Sequence, residues 1–495
     1  MGAMRQAVTW TLVVGAAACT REDTSRGALE VLVSAGPQTL DPRFSTDATA
    51  MRVTRLVHAG LVRLDASTLE PMPYAASSFR WVDDTHLEVE LRAGVRFASG
   101  APLEPEDVCE TLAAVGDAAM QSPHRGIVSN VASCIKTGPR TLVLGQREAR
   151  VTLITDLEIP ILRRDQARSA PRPDGDLDGL GPFTLASASH EAIHLVARAG
   201  SPLGRAPARD VTVRVVHDEN ARAVRLLAGR ADVIPNGLSP VLLAAVEQKG
   251  AHIASRPGAN LTYLAVSGDR VPGADARRGL AEALDRKTLA RALFGGHATV
   301  AHSVLPPSSW AYTEVDELVF SPESARERLI RAGVTKLTLL VSTDRARGLL
   351  ARSIAQMLGD VGVDVEVVPL ELGVLLHRLT AGDFELAILQ MPEITEPDLL
   401  RWFFHSSSIP TKAGGGVGAN RVRYANPVVD HALAVGRQDW DRDVRRLAYS
   451  QAQRQIARDL PVIPLFHEDQ IAALSPRALA FLPSAEGRWL SLADP

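Results

Sequence analysis

The stretch Val82–Ala114, VDDTHLEVELRAGVRFASGAPLEPEDVCETLAA, constrains the fold more than any other part of the chain. Leu87, Val89 and Leu91 alternate with Glu88, Glu90 and Arg92, the period-two pattern of a strand with one buried face. Val95 and Phe97 resume the alternation after Gly94, and Ser99-Gly100 turns the chain. Pro102 and Pro105 cannot donate to a sheet. Pro105 followed by Glu106 and Asp107 suits the first turn of a helix, where a missing N–H costs nothing and acids meet the positive end of the dipole. The block therefore reads as strand, glycine turn and proline-started helix, with no catalytic group in it.

LRAGVRFASGAPLEPEDV also resembles the hallmark L-R-x-G-V-x-F-x-[DS]-G-x-P-x-x-[AP]-x-D-V of solute-binding protein family 5, the peptide/nickel-type binding proteins of ABC importers. The resemblance continues along the chain. VSAGPQTLDPRFSTDA is similar to the family's opening, and His58-Ala59-Gly60-Leu61-Val62 to its E-G-L-[VT] step, with His58 in place of the acid. Gly179–Phe183 is similar to G-T-G-P-F, VRVVHDENARAVRLLAGRADVI to a β-α-β segment, and DLPVIPLF to D-x-P-x-i-P-l. One departure follows the strand around Leu195: relatives carry N-x-x-Y-W, but this chain has Ala197-Arg198-Ala199-Gly200-Ser201-Pro202, which lacks the aromatic anchor.

The N-terminus is a second signal. Arg5 precedes an apolar run, Ala7–Ala18, too short to span a bilayer comfortably; Ala16-Ala17-Ala18-Cys19 and a polar stretch follow. This is the form of a secretory signal peptide, and it resembles a bacterial lipobox in which Cys19 is acylated, although Ala16 stands where leucine is usual. Plain cleavage near Ala18 is the alternative. In an exported chain Cys109 and Cys134 can form a disulfide, or stand as two separate buried thiols. With 495 residues, two or three lobes are expected. A net charge of −3 argues against a nucleic-acid binder.

His190-Glu191-Ala192-Ile193-His194 fits the zinc-protease pattern H-E-x-x-H. That chemistry needs both imidazoles on one helical face. Phe183 and Leu185 before it, and Ile193, Leu195 and Ala197 after it, alternate as in strands. Four strand residues span roughly 13 Å, beyond the reach of one zinc with bonds of about 2 Å. A hairpin turn is the expectation, with a secreted zinc hydrolase as the rival reading. Asp275–Leu293 reads as one long helix. Arg163–Asp178 reads as an exposed loop with solvated charges, and Gly414–Gly418 as a flexible loop without the Lys-Ser/Thr of a phosphate loop.

The resemblance implies an α/β, two-lobed periplasmic-binding-protein-like (type II) fold with an extra inserted subdomain. Residues 1–18 would be the signal peptide and 19–28 a tether. The first lobe would comprise 29–60, 179–260 and 465–495, the insert 61–178, and the second lobe 261–464. Gln390–Asp398 aligns with the family's W-x-x-D-Y-x-D-P. Glu393 falls on the acid that binds a ligand's ammonium in peptide-binding relatives, and Gln390, Met391 and Glu396 flank it; Gln390 replaces the tryptophan and Ile394 the tyrosine. The function implied is reversible capture of a small solute, most often a short peptide, by hinge closure and delivery to an ABC permease with its ATPase. The protein would be a monomer in the periplasm or cell envelope, anchored to the membrane by lipid on Cys19. No cofactor, metal, catalytic residue or nucleic-acid partner is implied. A solute sensor without a transporter is a further alternative.

Overall fold

The structure is a computed structural model that describes residues 27–200, 203, 209–271, 273–411 and 418–493. The signal peptide, Cys19, most of the tether and Gly414–Val417 lie outside the described residues.

Two sheets form the body. The first has seven strands in the order His252–Arg256, Gln470–Leu474, Val233–Pro235, Leu29–Val33, Val211–Val215, Ala192–Ala197 and Phe183–Ala188. Leu29–Val33 lies at its centre, parallel to Val211–Val215 and to Val233–Pro235. Val31, Leu32 and Val33 are all buried, because packed side chains cover both faces and a run without alternation is required there. The second sheet has six strands: Ala298–Val300, Val462–Glu468, Leu261–Val266, Leu386–Met391, Lys336–Ser342 and Asp364–Leu370. Leu261–Val266 is buried throughout.

The chain crosses between these sheets at 257–260 and again at Asp469, four residues later than the 465 expected, because Val462–Glu468 belongs to the second sheet and Gln470–Leu474 to the first. The crossings are stitched together. Asn260 donates through Nδ2 to the Glu468 carbonyl at 2.7 Å and accepts from the Glu468 N–H at 2.9 Å. A Cβ at Gly258 would lie 2.1 Å from that carbonyl oxygen, so only glycine permits the approach.

Val82–Ala114 contributes His86–Leu91 and the end of Ala76–Asp83 to a separate four-stranded antiparallel sheet, ordered Ala76–Asp83, His86–Leu91, Thr141–Gln146 and Val131–Lys136. The helix Pro105–Gly116 packs on it through Val108, Leu112 and Val115, against Leu87, Val89, Leu91, Leu142 and Leu144. Glu104 and Asp107 cap the helix reciprocally. Asp107 also accepts from the Arg164 N–H at 2.9 Å, which ties the helix to the following loop. Cys109 is bonded to Cys134, with Cα atoms 5.3 Å apart, pinning helix to sheet.

Several local expectations change. Val95 and Phe97 are buried, but only an isolated Arg96–Pro102 bridge forms there, not a strand. The helix expected over 275–293 is two, Ala274–Glu282 and Arg286–Phe294. Asp285 caps the second by accepting from the Thr288 N–H, and the buried Arg286 guanidinium donates to the carbonyls of Ala301, Pro464 and Leu318. The loop 163–178 is not merely solvated. Its carbonyls at Ala167 and Ser169 receive the buried Arg43 guanidinium, which also pairs with Asp41 at 2.6 Å. Arg198 replaces the missing aromatic anchor by donating to the carbonyls of Gly179, Gly181, Arg96 and Phe97. His190 and Glu191 sit in the turn between two strands and His194 on the second strand, near Thr212 at 3.2 Å, so the two imidazoles share no helical face. Among the described residues no helix is long and apolar enough to cross a membrane.

Candidate functional site

The helix Ala48–Val57 begins the site. Asp47 caps it by accepting from the Ala50 N–H at 2.8 Å. Val53, Leu56 and Val57 point to the first sheet. The opposite face carries Met51, Thr54 and Arg55 into a cavity of about 250 Å³. Thr155, Asp156, Glu158, Ile159 and Pro160 of the insert form another wall, and Arg488 lines it too. Glu393 and Thr395, on the segment after the second-sheet strand Leu386–Met391, close the remaining side. The cavity thus lies between the lobes, with parts of both in its wall.

Its charges are unevenly matched. Arg488 is buried and donates two hydrogen bonds to the Glu158 carboxylate, through Nη1 and, at 2.5 Å, through Nη2. Such a bidentate pair is strong and geometrically specific. Glu486 is buried 3.4 Å from Arg488 Nε; among the described residues neither of its carboxylate oxygens has a hydrogen-bond partner, and burial pushes its pKa up. Asp156 pairs with Arg150 at 2.7 Å. His124 donates through Nε2 to the Ser45 carbonyl at 2.8 Å. Arg55 and Glu393 differ from these. They stand 3.6 Å apart, Arg55 is 3.8 Å from Glu158, Glu393 is 4.0 Å from Arg488, and among the described residues neither side chain has a hydrogen-bond partner.

Of the four residues singled out in Gln390–Asp398, Glu393 lines the cavity. Gln390 donates to Thr262 Oγ1 at 3.3 Å within the second sheet. Met391 is 1% exposed and faces the core. Glu396 is paired with Arg445 at 2.7 Å, away from the cavity wall. Arg55, Glu158 and Arg488 were not singled out. They come from points up to 433 residues apart, 55 to 488, and no local pattern joins them.

Glu396 belongs to a charged cluster between the insert and the second lobe. Arg150 reaches Asp398 at 3.7 Å as well as Asp156, and Arg437 reaches Asp398 at 3.8 Å. Burial pushes the carboxyls of Asp156 and Glu396 up to about 7, with Asp398 adding to both shifts. Nearby, the Val151 N–H donates to the Arg437 carbonyl at 3.3 Å, Arg442 hydrogen-bonds Glu70, and Trp81 meets Trp440 edge-on with centroids 4.5 Å apart.

A family model described as bacterial extracellular solute-binding proteins, family 5 Middle, matches residues 70–410. Heme-binding protein A of Haemophilus influenzae is 26% identical over 328 residues, 62% of this chain and 58% of that protein, so the match spans little more than half of the relative's length. The probable D,D-dipeptide-binding periplasmic protein DdpA of Escherichia coli is 23% identical over 472 residues, 91% of this chain and 90% of that one. The structure of the oligopeptide-binding protein AppA from Bacillus subtilis, in complex with a nonapeptide, superposes with a TM-score of 0.78 at 21% identity, covering 94% of this chain and 97% of that one. The fold is therefore the two-lobed one of periplasmic peptide-binding structures.

Proposed function

The chain belongs to the bacterial extracellular solute-binding proteins of family 5, and from that premise we propose that it captures a short peptide between its lobes and hands it to an ABC permease and its ATPase. Binding favours the closed state and leaves the solute chemically unchanged; only differential affinity for the closed form can drive such a shift. The protein acts outside the cytoplasm as a monomer, held to the membrane by lipid on Cys19. The observation that carries this reading is the composition of the cavity wall, drawn from the first lobe, the insert and the second lobe together. Glu393 offers its carboxylate to a ligand ammonium there. A carboxylate enclosed by lobe closure needs such a partner, because burying it alone is costly.

Mass spectrometry of small molecules released from the purified protein tests the ligand class, and peptides are the expected species. Titration calorimetry with a released amine-bearing ligand should show Glu393→Ala binding severalfold or more weakly. Unchanged affinity in that variant would remove Glu393 from the site.

A further inference from the structure

The Arg55–Glu393 pair carries a more specific reading of the ligand, and it rests on the proposal that this cavity holds the solute. In the wall Glu158 takes two hydrogen bonds from Arg488 and the His124 Nε2–H meets a carbonyl, while Asp156 lies 2.7 Å from Arg150 with its Oδ2 outside hydrogen-bonding geometry and its carboxyl pushed up by burial. Arg55 and Glu393 line the cavity with opposite charge, 3.6 Å apart, and among the described residues neither side chain has a hydrogen-bond partner. A guanidinium has five donors, and a carboxylate has about four acceptor sites. Two opposite charges this close match a ligand that carries an ammonium and a carboxylate on neighbouring atoms. The ends of a linear dipeptide sit on Cα atoms about 3.8 Å apart, and point away from each other in an extended chain. The head of an α-amino acid holds both groups on one carbon.

We propose that the cavity recognises an α-amino-acid head group, its carboxylate on Arg55 and its ammonium on Glu393. The two ion pairs then lie side by side, each charge flanked by opposite charges. The Arg55 side contributes the helix Ala48–Val57 of the first lobe, and the Glu393 side contributes the second lobe, so one small head group bridges both. The ligand classes that qualify are free amino acids and peptides joined through a side-chain carboxyl, which keep the head intact. Met51, Ile127, Ile159, Pro42 and Pro160 supply an apolar wall for the remainder.

Isomers separate this from general peptide binding. γ-Glutamylglycine and α-glutamylglycine have the same composition and charge, but only the first retains the head. Titration calorimetry of the full chain with each isomer, with the twenty free amino acids and with a set of α-linked dipeptides is the test. The expected result is binding of the γ isomer, or of a free amino acid over its methyl ester, by a margin of about tenfold or more, lost in Arg55→Gln. Equal or tighter binding of the α-linked forms, or a preference that survives in Arg55→Gln, overturns the head-group assignment while leaving peptide capture standing. No binding by any of these ligands overturns both.

Discussion

At the scale of single residues, burial sets several titrations against each other. Asp156 and Glu396 are pushed up to about 7, so between pH 4 and 7 the folded chain holds two protons that the unfolded chain releases. Their contribution to stability is full below about pH 4 and is lost as pH rises to 7. His58 and His467 are pushed down to about 4 by burial. They do the reverse: the unfolded chain binds two protons the folded one excludes, and this penalty fades as pH rises towards 6.5. The double variant Asp156→Asn with Glu396→Gln should therefore gain stability relative to the parent as pH rises from 5 to 7. Urea unfolding at both pH values reads this difference; a constant or shrinking one would show that these carboxyls are ionised in the folded state. Glu393 is legible in the sequence because its segment aligns with a family motif through Glu396 and Pro397, although Gln390 and Ile394 depart from it. Arg55, Glu158 and Arg488 could not, since ion pairing between residues distant in the chain leaves no periodic trace.

At the scale of elements, legibility follows the range of the interactions. The strand His86–Leu91 and the helix Pro105–Gly116 were readable because alternation, a first-turn proline and acidic caps act within a few residues. The split at Ala283–Asp285 was hidden because Asp285 caps its helix in a stretch whose apolar spacing continues unbroken. That Val95–Phe97 forms no strand is hidden from the sequence because, among the described residues, only the isolated Arg96–Pro102 bridge lies beside it. The disulfide closes a loop of 25 residues; Cys109→Ser with Cys134→Ser should cost on the order of 3 kcal/mol, measured by denaturant unfolding under oxidising conditions. Glycines at the junction of lobe and insert are equally constrained. A Cβ would come within 2.4 Å of the Glu158 carbonyl oxygen at Gly60, and within 2.1 Å of the Val57 carbonyl oxygen at Gly179. Either Gly→Ala change should destabilise by about 1–3 kcal/mol, since the obstacle is backbone. A melting temperature equal to that of the parent would contradict that crowding.

At the scale of the molecule, the insert and the second lobe also meet outside the cavity. Trp81 of the insert meets Trp440 of the second lobe, beside the Arg442–Glu70 bond and the Arg150–Asp398 pair. An edge-on aromatic pair contributes about 1 kcal/mol. Trp440→Ala should therefore raise the Kd for a captured ligand roughly fivefold without touching its contacts, and small-angle scattering of the unliganded protein should show a larger radius of gyration. An unchanged radius and Kd would mean that this contact does not favour the closed form. The two-lobed plan was readable because its motifs recur in order along the chain; how tightly the insert holds the opposite lobe was not, because Trp81 and Trp440 are far apart in sequence.

Arg488, buried against Glu158, also sets a schedule. The cavity takes one wall from residues 51–55 and another from position 488, so a ribosome must add more than four hundred residues after the first wall before the receptacle exists. A nascent or prematurely stopped product can build much of its sheet framework and still be unable to hold cargo. An export route that keeps the chain unfolded until it is complete would leave this protein empty in the compartment where it is made.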